Sequence, residues 1–77
     1  MKAYVLATIH TGEIPEAVRQ LRQVQSVRAV EAAFGVYDAV VEIEAVDLKT
    51  IARTVAFDIQ TVAGVKQTLT CLVMDGI

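Results

Sequence analysis

The hydrophobic residues of this chain switch several times between a period of two and a period of about 3.6 residues. This switching constrains the fold more than any other feature, because alternation predicts strands and spacings of three and four predict helices. In chain order the predicted elements are a strand over residues 2–10, a helix that begins near Pro15 and ends at Ser26, strands over 28–34 and 39–45, a helix that begins after the N-cap Asp47 and stops at Gly64, and a strand over 65–74.

The order β-α-β-β-α-β predicts an α+β, ferredoxin-like fold in which two helices cover one face of a four-stranded antiparallel sheet. With 77 residues, the chain is expected to form one domain over residues 1–77. A domain this small buries only about 60% of its unfolded surface. One cysteine and one histidine cannot build a disulfide or a usual structural zinc site, so we expect oligomerisation to supply stability.

The sheet face turned away from the helices is predicted to be too apolar for solvent. The residues expected to face the helices are Val5, Ile9, Val41, Ile43, Leu69 and Val73. The residues expected on the other face are Tyr4, Leu6, Thr8, Val40, Thr68, Thr70, Leu72 and Met74. Covering a few hundred Å² of apolar area at roughly 25 cal/mol per Å² contributes several kcal/mol. We therefore predict a homodimer, a dimeric α/β sandwich. Its interface is predicted at Tyr4, Leu6, Thr8, Val40, Leu72 and Met74, and the alternative is a monomer with a moderately apolar sheet.

Composition narrows the class of partner. The net charge is −2 and no basic residues cluster, so we expect no direct nucleic-acid binding. No apolar run approaches the roughly 20 residues of a membrane span, so no membrane contact is expected. The start reads as a strand rather than a leader, which with one unpaired cysteine predicts a cytoplasmic location.

Isolated reactive residues offer little catalytic chemistry. His10 has no titratable partner fixed by spacing, and we expect it at the surface. Cys71 lies among apolar strand residues and is expected to pack as a small hydrophobe. Glu42 and Glu44 share a strand face but favour solvated charges over a metal site. Phe57 points away from its helical stripe and is either incidental or a subunit contact. No phosphate loop, G-x-S-x-G or H-E-x-x-H occurs, so we expect no cofactor, no metal and no enzyme activity.

The connection Gly35-Val36-Tyr37-Asp38 is the strongest candidate for a binding site. A short turn between paired strands favours Gly or Asp for a positive φ. Tyr37 is not needed for a turn, and loop tips are where binding residues gather. Asp38 adds an acceptor suited to an ammonium group. These residues predict one wall of an amino-acid pocket, and the hydroxyls of Thr68 and Thr70 are further candidates for a small polar ligand.

This stretch resembles the G-x-Y-D turn in the effector-binding domain, or RAM domain, of the Lrp/AsnC (feast/famine) transcription regulators. It follows "SVRAVEAAF" and precedes "AVVEIEAVDLKTIARTV", as in that family. The ending "VAGVKQTLTCLVM" is similar to the family's glycine- and threonine-containing ending. The matching places are Gly64, Val65, Thr68, Thr70 and Leu72.

The resemblance implies a ferredoxin-like fold, sheet-to-sheet dimers, and rings of dimers that are often octamers. It also implies that small effectors, usually amino acids, bind between dimers. Carried over by position, Gly35, Tyr37 and Asp38 would help to form that pocket, and Thr68 and Thr70 are weaker candidates. Family regulators carry an N-terminal helix-turn-helix, whereas this chain begins at the first strand. It therefore resembles a stand-alone RAM domain that modulates full-length Lrp/AsnC-type regulators by co-assembly, or serves another partner, without binding DNA.

Two alternatives stay open. One is a small enzyme of the dimeric α+β barrel type that uses His10, or Glu42 and Glu44, in a deep cleft between sheet and helices. Small side chains at Ala3, Ala7, Ala39 and Ala45 are expected to leave room for such a cleft. The other is a purely structural assembly partner.

Overall fold

The computed structural model describes residues 1–77. Its elements are strand β1 (Lys2–Ile9), a 3-10 turn (Thr11–Glu13), helix α1 (Ile14–Leu21), strands β2 (Val27–Ala32) and β3 (Ala39–Glu44), helix α2 (Leu48–Arg53), a π-helical segment (Thr54–Ile59) and strand β4 (Val65–Leu72). The antiparallel sheet has the order β2-β3-β1-β4. The predicted ferredoxin-like arrangement is therefore confirmed.

Both helices begin where the sequence predicts and end earlier. Pro15 lies in the first turn of α1, where its missing N–H costs nothing. The side chain of Asp47 caps α2 by accepting a hydrogen bond from the Thr50 N–H at 2.8 Å. Beyond Arg53 the helix widens into the π-helical segment, which sequence periodicity did not predict. The helical region ends at Ile59, and a turn leads to Gly64, whose φ of +94° favours glycine.

The core fills the space between the sheet and the helical layer. It consists of the inward side chains of β1, β2 and β3 packed against α1, α2 and the π-helical segment. Its members are Ala3, Val5, Ala7, Ile9, Ala17, Val18, Leu21, Val30, Ala39, Val41, Ile43, Ile51, Val55 and Ile59. Small alanines on the strands let the helices approach closely, so the alanine-lined cleft required by the enzyme alternative is filled.

The predicted facing of β4 is wrong. Thr68, Thr70 and Leu72 pair with Ala7, Val5 and Ala3 of β1, and these partners face the helices. Leu69 pairs instead with Leu6 and faces away from the helices. The cause is an irregularity in the ladder, since Ile9 pairs with Val65 but Thr8 pairs with Gln67. Lys66 is thus an extra residue in β4, and it reverses the face of the sheet to which each later side chain of β4 points.

The face of the sheet turned away from the helices, which we call the open face, therefore has a different set of residues from the predicted one. Its strand residues are Lys2, Tyr4, Leu6 and Thr8 of β1, Ala29 and Glu31 of β2, Val40, Glu42 and Glu44 of β3, and Gln67, Leu69 and Cys71 of β4. Tyr4, Leu6, Thr8 and Val40 share this face as predicted. Leu72 does not, because its register places it on the helical side. Cys71 is exposed here rather than packed in the core, which corrects the prediction made from its neighbours.

Candidate ligand-binding site

Residues 33–38 connect β2 to β3 and are tied to the end of β1 by Asp38. The Asp38 backbone N–H donates to the Ala7 carbonyl at 2.8 Å. The Asp38 carboxylate, through Oδ2, accepts a hydrogen bond from the Ile9 N–H at 2.7 Å. Across the base of the loop, the Ala33 N–H donates to the Asp38 carbonyl at 2.9 Å. Asp38 therefore completes the β1–β3 ladder with its own side chain, and one of its two carboxylate oxygens is already occupied.

Gly35 does not have the conformation that a tight turn was expected to require. The only residues with positive φ are Gly64 and Gly76. A Cβ placed on Gly35 would meet no atom within 4 Å. The loop spreads its reversal over residues 33–38 instead of over two central residues, so no left-handed residue is needed. The prediction that Gly35 is explained by a positive φ is wrong. The fold of this single chain does not require a glycine at position 35.

The tip of the loop projects apolar side chains into solvent. Phe34 and Val36 have exposed fractions of 108% and 86%. Tyr37 is half-buried, and its hydroxyl makes no hydrogen bond within the chain. The loop thus presents an aromatic ring and an unpaired hydroxyl beside an anchored carboxylate, on a rigid base.

The two predicted threonines, Thr68 and Thr70, lie at different positions relative to this loop. Thr68 is opposite Ala7, whose carbonyl also receives the Asp38 N–H, so only β1 separates Thr68 from the loop. The Thr68 hydroxyl accepts a hydrogen bond from Gln60 Nε2 at 2.8 Å. Thr70 is further along β4, opposite Val5, and lines a separate groove. The structure therefore brings Thr68 near the loop end of the sheet and leaves Thr70 away from it.

That separate groove, which we call the α2–β4 groove, was not predicted from the sequence. It has a volume of about 360 Å³ and is open to solvent. Its lining is apolar except for one hydroxyl: Leu48, Ile51, Ala52, Val55, Ala56, Thr70 and Leu72. The sequence signal was the pair of small residues Ala52 and Ala56, one helical turn apart, beside a strand whose facing was assigned incorrectly.

His10 and the two glutamates show no catalytic arrangement. His10 is exposed, and its backbone N–H donates to the Gly64 carbonyl at 2.8 Å. Lys2 Nζ lies 3.9 Å from Glu42 Oε2, and the Met1 amino group lies 3.0 Å from Glu44 Oε2. The hydrogen bond from that amino group lowers the pKa of Glu44. No three His, Cys, Asp or Glu side chains gather to hold a metal ion.

Phe57 is exposed on the outer side of the helical layer, as predicted. The Arg53 guanidinium lies 5.7 Å from the centre of its ring, a distance suited to a cation–π contact. Phe57 also lines an open groove with Gln20, Gln23 and Asp58. No helix is long and apolar enough to cross a membrane.

The structure is a ferredoxin-like sheet with a loop anchored at one end, and its grooves are open to solvent. The family model described as the Lrp/AsnC ligand binding domain matches residues 2–77, so this chain belongs to that family. The resemblance drawn from the G-x-Y-D turn is confirmed. No curated protein is significantly similar in sequence to this chain.

Solved structures share the fold at low sequence identity. TTHA0845 from Thermus thermophilus is 22% identical with a TM-score of 0.92, covering 99% of this chain and 95% of that one. E. coli AsnC is 16% identical with a TM-score of 0.89, covering 97% of this chain and 51% of that one. The transcriptional regulator NMB0573 from Neisseria meningitidis, solved with L-Met, is 18% identical with a TM-score of 0.85 over 99% of this chain and 51% of that one. This chain thus spans about half the length of the last two proteins.

Proposed function

We propose that residues 1–77 form a single RAM-type domain that senses a small molecule, an amino acid, through assembly with copies of itself. It acts in the cytoplasm, without enzyme activity, and modulates full-length Lrp/AsnC-type regulators or another partner without binding DNA itself. Membership of the Lrp/AsnC ligand-binding family supports the ligand class, together with the L-Met complex of a structural neighbour. The observation that carries the proposal is the loop 33–38, fixed at its base by Asp38 and unpaired at its tip.

The proposed pocket uses Gly35, Val36, Tyr37 and Asp38, with Thr68 behind them and Thr70 as a weaker candidate. Within one chain the loop has only one wall, because Phe34 and Val36 face solvent. A second subunit placed against the tip would bury these side chains and enclose the Tyr37 hydroxyl. The second Asp38 oxygen, Oδ1, makes no hydrogen bond within the chain and is the acceptor left for an ammonium group.

Such a sensor would work by differential binding. A ligand that binds only where two dimers meet stabilises the assembled form and shifts the population toward it. Calorimetry with a panel of amino acids, combined with light scattering with and without ligand, tests this directly. We expect at least one amino acid to bind and to change the distribution of oligomers. Absence of binding across the panel, with an unchanged mass, would contradict the proposal.

Variants at Asp38 separate its hydrogen bond to the Ile9 N–H from its proposed contact with the ligand. Asp38→Ala removes the acceptor of the Ile9 N–H, and leaving a partly buried donor unpaired costs about 1–3 kcal/mol of unfolding free energy. Asp38→Asn keeps an oxygen for that N–H and removes only the charge. We expect D38N and Tyr37→Ala to lose ligand binding at least about tenfold while D38N keeps a melting temperature close to the parent. Normal binding by D38N would show that Asp38 acts only as a structural tie.

A further inference from the structure

The α2–β4 groove lies at the opposite end of the sheet from the loop 33–38. Its β4 residues, Thr70 and Leu72, pair with Val5 and Ala3 near the start of β1, whereas Asp38 binds at Ala7 and Ile9 near the end of that strand. Nothing in the chain covers the groove. Leu48 and Leu72 in its wall are therefore about half exposed, at 52% and 46%. The groove is therefore distinct from the loop 33–38, and it shares only Thr70, the weaker candidate, with the proposed effector pocket.

The C-terminal segment, residues 74–77, leaves the sheet directly beside this groove. The Val73 N–H donates to the Lys2 carbonyl at 2.9 Å, which keeps the chain on β1 past the end of β4. Met74 and Ile77 then stand in solvent with exposed fractions of 73% and 99%. The same chain thus carries an uncovered apolar groove and, next to it, an uncovered apolar segment that does not fill it.

Charge on the two surfaces is complementary. Lys49 and Arg53 lie on α2 next in sequence to the groove residues Leu48 and Ala52, and both are exposed. The acidic neighbour of Leu48, Asp47, is engaged as the N-cap of α2. The C-terminal segment carries Asp75 between its two apolar side chains. Neither Lys49 nor Asp75 takes part in a salt bridge within the chain. An incoming segment of this composition would place apolar side chains in the groove and a carboxylate at its basic rim.

We propose that the α2–β4 groove binds residues 74–77 of a second copy of this chain. Because the segment and the groove adjoin one another, a two-fold axis near the end of β4 lets each copy fill the groove of the other. Two identical contacts then close the pair at this interface. A small polar ligand is a poorer occupant, since Thr70 supplies the only side-chain polar group in the wall. The proposal depends neither on the effector nor on the packing of the open sheet face.

Disulfide trapping tests the contact directly. In a Cys71→Ser background, one chain carries Ala56→Cys in the groove and another carries Met74→Cys in the segment. On mixing and mild oxidation, we expect disulfide-linked heterodimers joined at positions 56 and 74, identified by peptide mass. The matched control replaces Ala56→Cys by Ala63→Cys, an exposed alanine outside the groove. A yield no higher than this control overturns the proposal, as does an intramolecular disulfide in the double variant A56C/M74C at low concentration.

Charge reversal gives a second readout of the same contact. Asp75→Lys is expected to slow trapping between positions 56 and 74 several-fold at low ionic strength, and Lys49→Glu in the partner chain is expected to restore the rate. An unchanged rate in D75K, or no recovery on adding K49E, counts against the basic rim as the docking site. Neither readout requires an amino-acid effector, so failure here and failure of the proposed sensing function are separate results.

Discussion

The two faces of the sheet differ in how completely one chain satisfies them. Over β1 and β3 the chain itself closes the helix-covered face, and Ala3, Val5, Val41 and Ile43 have no exposed surface. On the open face, Tyr4 and Leu69 keep exposed fractions of 37% and 49%, and Cys71 is exposed beside them. Both faces are made by the same strands with the same alternation. One face thus holds the core of the chain, while the other keeps apolar side chains exposed.

The open face is itself divided. Its larger apolar residues, apart from Val40 on β3, lie on β1 and β4, where Leu6 is paired with Leu69 and Tyr4 with Cys71. Its acidic residues lie toward the other edge, on β2 and β3: Glu31, Glu42 and Glu44. A sheet-to-sheet partner is therefore expected to cover the β1–β4 half most closely, since burial of unpaired carboxylates is costly. We therefore expect Leu69 and Cys71, which lie on the open face, to contact such a partner in place of Leu72.

Truncation on the covered face should have the largest effect. Ile43→Ala removes a fully buried side chain opposite Ala3 and should lower the free energy of unfolding by about 2–5 kcal/mol. Urea unfolding monitored by circular dichroism measures this loss. Val40→Ala, on the same strand but on the open face, is the matched control and should cost less at low protein concentration. Equal losses for the two variants would contradict the difference between the faces.

A charge on the apolar half of the open face should act on assembly rather than on folding. Leu69→Glu places a carboxylate next to Leu6, where a face-to-face partner would bury it. We expect the dimer dissociation constant to rise at least about tenfold by sedimentation. The Cys71 thiol should also react faster with a soluble reagent. Val46→Glu, at a position that is 89% exposed and outside the sheet, should change neither quantity. Unchanged assembly in L69E would move the interface elsewhere.

The fold was predictable because its periodic signals are local. Alternation in β1 and β3, the Asp47 cap and the stripe of α1 each indicated an element without knowledge of the rest. The facing of β4 was not predictable from alternation, because this edge strand carries Leu69 and Cys71 on one side and Thr68, Thr70 and Leu72 on the other. Neither side is clearly polar, so the extra residue Lys66 decided the register.

The position of the candidate loop was predictable from the sequence, but its geometry was not. The sequence identified residues 35–38 as a loop with binding chemistry. It could not show that Asp38 accepts the Ile9 N–H, since that bond joins positions 29 residues apart. The explanation of Gly35 failed because the loop is longer than a two-residue turn. The α2–β4 groove could not be predicted, because the sequence assigned Thr70 and Leu72 to the wrong face of the sheet.

The smallest effect is expected at the acidic edge of the open face. Glu44 accepts a hydrogen bond from the Met1 amino group, and that bond holds the pKa of Glu44 below its ordinary value of 4.5. A lowered folded-state pKa means that folding favours the ionised carboxylate. Its contribution is therefore complete above about pH 4.5 and is lost as the pH falls through the lower folded-state value. Both groups are well exposed, so solvent screens the pair.

Glu44→Gln should accordingly lower the melting temperature by no more than about 2 °C at pH 7. The gap between parent and variant should close on acidification. Glu42→Gln is the matched control, because Lys2 Nζ lies 3.9 Å from Glu42 at the outer limit of an ion pair. Thermal unfolding of the three proteins from pH 7 to pH 3 measures the difference. A loss in E44Q as large as that in I43A would mean that the acidic edge stabilises the fold as the covered face does, and the contrast between the faces would then be wrong.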